Sequence, residues 1–184
     1  MATAAEVNVV SWGGAYTESQ KLGYGDPYQE KSGVQVNWID YSGGLSEIKA
    51  QVESGAITWD IIDVYARDTI IGCDEGLFVE FDFDNDFPAG VNGMKASDDF
   101  FAPMPSDCAV GNILSSWNYA YNTDNINFDG SYPDSMEDFF NPSKYPGVRS
   151  LYSSAMSNLE FALVADGVPG ADVYDYMEET GIDR

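Results

Sequence analysis

Histidine is absent from these 184 residues and basic side chains are scarce: eight Lys and Arg stand against 31 Asp and Glu, a formal net charge of -23 at pH 7. Without histidine there is no Ser-His-Asp triad, no Cys-His pair and no His-ligated zinc site. Without clustered Lys and Arg nothing neutralises a phosphate backbone, so nucleic acid is not an expected partner. No apolar run approaches the roughly 18 residues a membrane span requires. The start, MATAAEV, lacks the charged and apolar regions of an intact signal peptide, although its Ala-Thr-Ala-Ala resembles the small-residue remnant near a cleavage site. Only two cysteines occur, Cys73 and Cys108, too far apart for a CxxC redox or zinc motif. In an exported protein they would pair; in the cytosol they would be two buried thiols.

Nucleotide motifs are missing as well. There is no Walker A sequence, and GYGDPY (23 to 28) opens like a dinucleotide fingerprint but carries Tyr28 in place of the third glycine, inside a helical stretch. Asp82, Asp84 and Asp86 alternate like the first ligands of a calcium loop, yet Phe87 replaces the turn glycine and Gly93 the bidentate Glu. This reads as a solvated acidic loop, with a weak surface cation site as the alternative. Carboxylates are so numerous that no pair stands out as a glycosidase acid and base.

What is present is enough for a folded protein: 44% of the residues are hydrophobic and 14% are aromatic, over a length that suits an ordinary domain. The acidity fits a salt-adapted or very soluble surface, or steering of a cationic ligand. Val7, Val9 and the residues to Trp12 read as a strand, and Tyr16 to Lys31 as a helical stretch interrupted near Gly23, Gly25 and Pro27. VQVNWID (34 to 40) alternates as a second strand. LSEIKAQVESG (45 to 55) has helical spacing, with Gly55 as its C-cap, and WDIIDVY (59 to 65) is apolar enough for a strand buried in a parallel sheet. This β-α-β-α-β order predicts a parallel sheet covered by helices. Further on, VGNILSSWNYAYN (110 to 122) and VRSLY (148 to 152) look like strands, while SMEDFF (135 to 140), NLEFALVADG (158 to 167) and ADVYDYMEETG (171 to 181) look helical.

In parallel sheets ligands bind outside the carboxyl ends of the strands. Those ends carry Trp12, then Asp40 with Tyr41 and Ser42, then Tyr65. VSWGGAY (10 to 16) places a tryptophan, two glycines and a tyrosine at the first of them, a turn in which backbone can approach a packing partner or a ligand.

Several stretches together resemble the substrate-binding proteins of ABC transporters, specifically the spermidine/putrescine-type extracellular solute-binding proteins. They are VVSWGGAY (9 to 16), YSGGLSEIKAQVESGAITWDIIDV (41 to 64), GCDEGLFVEFD (72 to 82), the Cys108 region, FFNPSKYPGVRSL (139 to 151) and LEFALVADGVP (159 to 169), in the family's order. The resemblance implies an α/β, type 2 periplasmic-binding-protein fold with a ligand cleft between two lobes: residues 1–112 as the first part of lobe one, 113–184 as the first part of lobe two. Family members are longer, so the chain reads as an amino-terminal fragment whose carboxy-terminal part is missing, with exposed apolar surface that favours association of the fragment. The family pattern has both cysteine positions, which implies a Cys73–Cys108 disulfide and a periplasmic or extracellular protein.

The implied function is non-enzymatic: binding a polyamine such as putrescine or spermidine and delivering it to a membrane permease, without cofactor or metal, as a monomer when full length. Aromatic faces would hold the methylene chain and carboxylates the ammonium ends. Trp12 and Tyr16 match aromatic positions of the family's first loop, Gly13 and Gly14 would keep the cleft open, and Tyr65 falls at another cleft position. Tyr41 and Ser42 are candidates from strand-end geometry. Asn158 and Glu160 lie where polyamine binders place an acidic contact, although a helix-start Glu also serves as a cap or complements the helix dipole. The alternatives are a receptor for another small solute, such as an amino-acid derivative or organic cation; a carboxylate-only glycoside hydrolase; and an acidic module binding a basic protein.

Overall fold

A computed structural model describes residues 5–100, 107–124 and 132–181. The chain divides into two compact units, Met1–Ile113 and Leu114–Arg184. The first is built on a three-stranded parallel sheet of order β2-β1-β3, comprising β1 (Glu6–Ser11), β2 (Gln35–Asp40) and β3 (Ile61–Ile62). β1 is central and pairs in register with β2 from Glu6 opposite Gln35 to Ser11 opposite Asp40, and with β3 at Val9–Ile61 and Val10–Ile62. Its last residues, Val10 and Ser11, have no exposure at all.

The expected seven-residue buried strand at 59–65 is cut to two ladder residues, with Ile61 57% exposed. Its backbone does follow β1 further, since the amides of Asp60 and Asp63 donate to the carbonyls of Asn8 and Val10 at 3.1 and 2.9 Å. On its other side, however, no strand lies among the described residues, so this apolar run forms an edge.

Between β1 and β2 the chain runs through α1 (Gly14–Gln20), a π-helical turn (Lys21–Gly25) and α2 (Asp26–Ser32). The expected break at Gly23, Gly25 and Pro27 is therefore a widened turn within a continuous helical path. Pro27 sits in the first turn of α2, where a missing N–H costs least. Gly25 is buried against Trp38 of β2, and a Cβ there would come within 2.7 Å of the indole. α3 (Ser46–Ser54) buries Ile48 and ends at Gly55 in the left-handed conformation, φ 67°.

The sequence pattern did not single out α4 (Ala66–Asp74), which begins directly after the third strand end. Phe78 packs on its buried Gly72 so closely that a Cβ would overlap the ring at 2.2 Å. Cys73 near the end of α4 is bonded to Cys108, with Cα atoms 5.7 Å apart. In the following loop Phe81, Phe83, Phe87 and Phe100 contact one another at centroid distances of 5.1 to 6.2 Å. The loop also holds the short α5 (Ala96–Asp99). Its acidic residues are tied within it: Asp84 accepts from Lys95 and Ser97, Asp82 from Asn85, and Asp86 from the amide of Asp82. Among the described residues no group of three metal-ligating side chains converges.

The second unit contains α6 (Met136–Phe139), α7 (Asn158–Ala165), a 3-10 turn (Gly170–Asp172) and α8 (Val173–Thr180). Ser135 caps α6 by accepting from the Asp138 amide, and the Lys144 ammonium holds the Asp138 carboxyl below its usual range. Arg149 donates to the carbonyls of Phe139, Asn141, Tyr145 and Gly147, lacing the segment around α6 together. The strands expected at 110–122 and 148–152 are not present as strands. Alternation marks two faces, but a ladder also needs a neighbouring backbone, and none of the described residues supplies one.

Candidate functional site

The three parallel strands deliver three aromatic residues to one another. Trp12 follows β1, Tyr41 follows β2, and Tyr65 lies three residues past β3. The Trp12 ring stacks on Tyr41 at 5.0 Å and lies 4.8 Å from Tyr65, while Trp59 meets Tyr41 edge-on at 5.8 Å. Each such pair adds about 0.5–1.5 kcal/mol beyond area burial. All three remain half-buried, so the cluster is packed yet reachable from solvent. Gly43 completes it from the loop after β2. Its φ is 88°, and a Cβ there would come within 2.7 Å of the Trp12 ring.

The other predicted residues separate into distinct environments. Gly13 adopts φ 79°, and a Cβ at this position would meet the Asp40 carboxylate at 2.9 Å, so close approach to Asp40 accounts for this glycine. Gly14 opens α1 with nothing near it, and Ser42 is exposed. Tyr16 points its hydroxyl toward the Asn112 amide, which donates to it at 3.3 Å. In the second unit, Asn158 donates to the carbonyls of Tyr152 and Ser154, both at 2.6 Å, and Glu160 accepts from the Tyr174 hydroxyl at 3.1 Å. Both nevertheless keep one buried oxygen without a donor, as does Ser157 beside them, the one described non-glycine residue at positive φ, 66°.

Asp63 is the residue the sequence reading passed over. Its Oδ2 accepts from Ser11 at 2.8 Å and Gln20 at 2.6 Å, and its Oδ1 from Asn112 at 3.3 Å. The Tyr41 hydroxyl donates to its main-chain carbonyl. One carboxylate thus joins β1, α1, the third strand end and the segment at 112. A signal was available, because Asp63 directly follows the β3 residues Ile61–Ile62 and strand-end logic reaches it before Tyr65. Beside this network a cavity of about 170 Å³ is lined by Tyr16, Ser19, Gln20, Tyr24, Asn112 and Ile113.

Electrostatics follow the geometry. Burial, then Asp63 and Tyr24, push the Tyr16 phenol up to about 12, against the opposing Asn112 hydrogen bond. Burial, then Asp68, Asp63 and Tyr65, raise Tyr41 further. Both phenols stay neutral hydrogen-bonding groups across the ordinary pH range. The arrangement offers aromatic faces and negative potential, which suits an organic cation or the amine end of a small solute. Among the basic residues, Lys49, Lys95 and Lys144 are paired with carboxylates, and Arg149 is occupied by main-chain carbonyls.

Similarity to known proteins extends over most of the chain. A curated relative, the gamma-aminobutyric acid-binding protein of Pseudomonas aeruginosa, is 34% identical over 176 residues, which cover 96% of this chain and 47% of that protein. A solved GABA receptor structure superposes with a TM-score of 0.70 at 27% identity, covering 97% of this chain and 51% of the other. A periplasmic binding protein from A. tumefaciens B6, solved in complex with glucopine, gives a TM-score of 0.69 at 26% identity, covering 94% and 50%. The chain thus has the α/β periplasmic-binding-protein fold and spans about half the length of these relatives. The relatives' ligands are GABA and glucopine, so the narrower spermidine/putrescine assignment does not carry over from them. Residues 23–183 match the family described as bacterial extracellular solute-binding protein, and the chain belongs to that family.

Proposed function

We propose that this chain carries part of the solute site of an extracytoplasmic receptor for an ABC importer, and that its solute is a small amine-bearing amino-acid derivative handed to a membrane permease. Its two units are read as lobe one and the beginning of lobe two, in a protein that acts outside the cytoplasmic membrane without catalysis. The observation that carries this reading is the meeting of Trp12, Tyr41 and Tyr65 at the carboxyl ends of parallel strands, in a negative field. The GABA and glucopine ligands of the similar proteins support an amino-acid derivative over a simple polyamine. Tyr16 and the cavity at Asn112 form the polar flank of the same site. Asn158 and Glu160, with Ser157, form a separate contact set at the start of α7, where three buried oxygens lack a donor.

A polyamine is the second reading. The engagement of Lys49, Lys95, Lys144 and Arg149 leaves few described cations to receive a carboxylate. Titration calorimetry with 4-aminobutyrate, putrescine, spermidine and a neutral sugar separates the two readings. Saturable heat with 4-aminobutyrate is expected; a response to the diamine and triamine alone selects the second reading, and saturable sugar binding without any amine response overturns both. Trp12→Ala should weaken the amine response tenfold or more while the circular dichroism spectrum is retained, because it removes the face shared by Tyr41 and Tyr65.

A further inference from the structure

We propose that Asp68 is the carboxylate that receives the ammonium group of the solute in the first unit. This inference rests on the proposed amine-bearing solute and adds the residue that selects the amine. Asp68 lies in the first turn of α4, and its amide donates to the Tyr65 carbonyl at 2.8 Å, which ties it to the third member of the aromatic cluster. It is 6% exposed, and its Oδ2 is buried without a hydrogen-bond donor. The other oxygen, Oδ1, has only a 3.4 Å approach from Nε of Arg67, whose side chain is largely exposed and lies 5.8 Å from the Tyr65 ring centre.

The charge of Asp68 also reaches the cluster, since after burial it is the leading cause of the raised Tyr41 phenol. Asp63 acts on the same phenol, but its two oxygens already accept from Ser11, Gln20 and Asn112. Of the two carboxylates, therefore, only Asp68 has an unused buried oxygen.

A purely structural role does not account for this oxygen. The start of α4 favours a negative charge and Arg67 partly balances it, yet neither gives Oδ2 a donor. An ammonium group supplies up to three donors and a positive charge, and its alkyl stem suits the faces of Trp12, Tyr41 and Tyr65. A carboxylate-only solute would be repelled by the same residue. The site is thereby predicted to rank alkyl ammonium ions above alkyl carboxylates of equal length.

The test titrates the chain and its Asp68→Asn variant with butylamine, 4-aminobutyrate and butyrate. Wild-type protein is expected to bind the two amines and to discriminate against butyrate, and Asp68→Asn to lose tenfold or more in amine affinity with its melting temperature preserved. In the wild type, the carboxyl carbon resonance of Asp68 should move on butylamine addition with the midpoint of the calorimetric curve. This second measurement holds even where the variant fails to fold. If amines bind but the resonance is unmoved, or Asp68→Asn binds them as tightly as wild type, the role of Asp68 is overturned and the receptor reading stands. If wild type binds neither amine, both fall.

Discussion

Tyr16 and Tyr41 show how the surroundings of a residue alter its chemistry. A phenol that ionises near pH 10 in solvent is held neutral here by burial, followed by Asp63 at Tyr16 and by Asp68 and then Asp63 at Tyr41. Because the folded-state value is raised, the associated stability is fully present below about pH 10 and is lost as pH rises toward the folded value. Ultraviolet titration should accordingly show part of the phenolate signal lagging behind free tyrosine. Adding denaturant at about pH 11 should release that lagging fraction at once. A single titration step at the solvent value in the folded protein would contradict the burial of these two rings. Gly43 belongs to the same scale: its left-handed backbone and the Trp12 ring beside it leave no room for a Cβ, so it sets where the indole lies. None of this was legible in VSWGGAY, which announces a turn but not that Gly43, far along the chain, packs against its tryptophan.

Among the elements, α4 does most to place the candidate site, because Tyr65 precedes it, Asp68 is in its first turn and Cys73 near its end is covalently joined to Cys108. The 35-residue separation makes this link worth roughly 3.5–4 kcal/mol in the chain-entropy account. Replacing both cysteines with serine should shift the denaturant midpoint downward by an amount of that order, with the cooperativity of the first unit's transition otherwise unchanged. An unshifted midpoint, or two freely alkylated thiols in the unreduced protein, would remove the bond from the account. Its pairing was implied by resemblance, whereas α4 itself went unread because ARDTIIGCD has no clear apolar stripe. By contrast β1, β2 and α3 were legible, through Val alternation in the strands and Gly55 at the helix end. The strand patterns at 110–122 and 148–152 misled for a definite reason: periodicity specifies faces, and a strand exists only where another backbone accepts its hydrogen bonds.

The whole molecule is dominated by charge. Thirty-one acidic side chains against eight basic ones repel one another, and the five ion pairs found among the described residues offset little of this because most are exposed. The melting temperature is therefore expected to rise as sodium chloride is added from low to molar concentration, through screening of like charges. A flat or falling curve in thermal unfolding followed by circular dichroism would show that self-repulsion does not limit this fold. The same salt should weaken capture of an exposed cation more than of one held by buried Asp68, so salt dependence of amine binding is a further measure of burial.

Composition and local periodicity alone pointed to an acidic α/β chain with parallel strands, excluded histidine chemistry, made nucleic acid an unexpected partner, and directed attention to the strand ends. They could do so because charge is additive and because helices and strands impose their periods on neighbouring residues. Only the tertiary structure decided that both oxygens of Asp63 would accept hydrogen bonds while Asp68 kept a buried oxygen without a donor, that Gly25 would sit beneath Trp38 in a π-helical turn, and that 59–65 would form an edge. Each depends on groups far apart in the chain meeting in space, and the desolvation or steric contact that results has no counterpart in the spacing of residues along it.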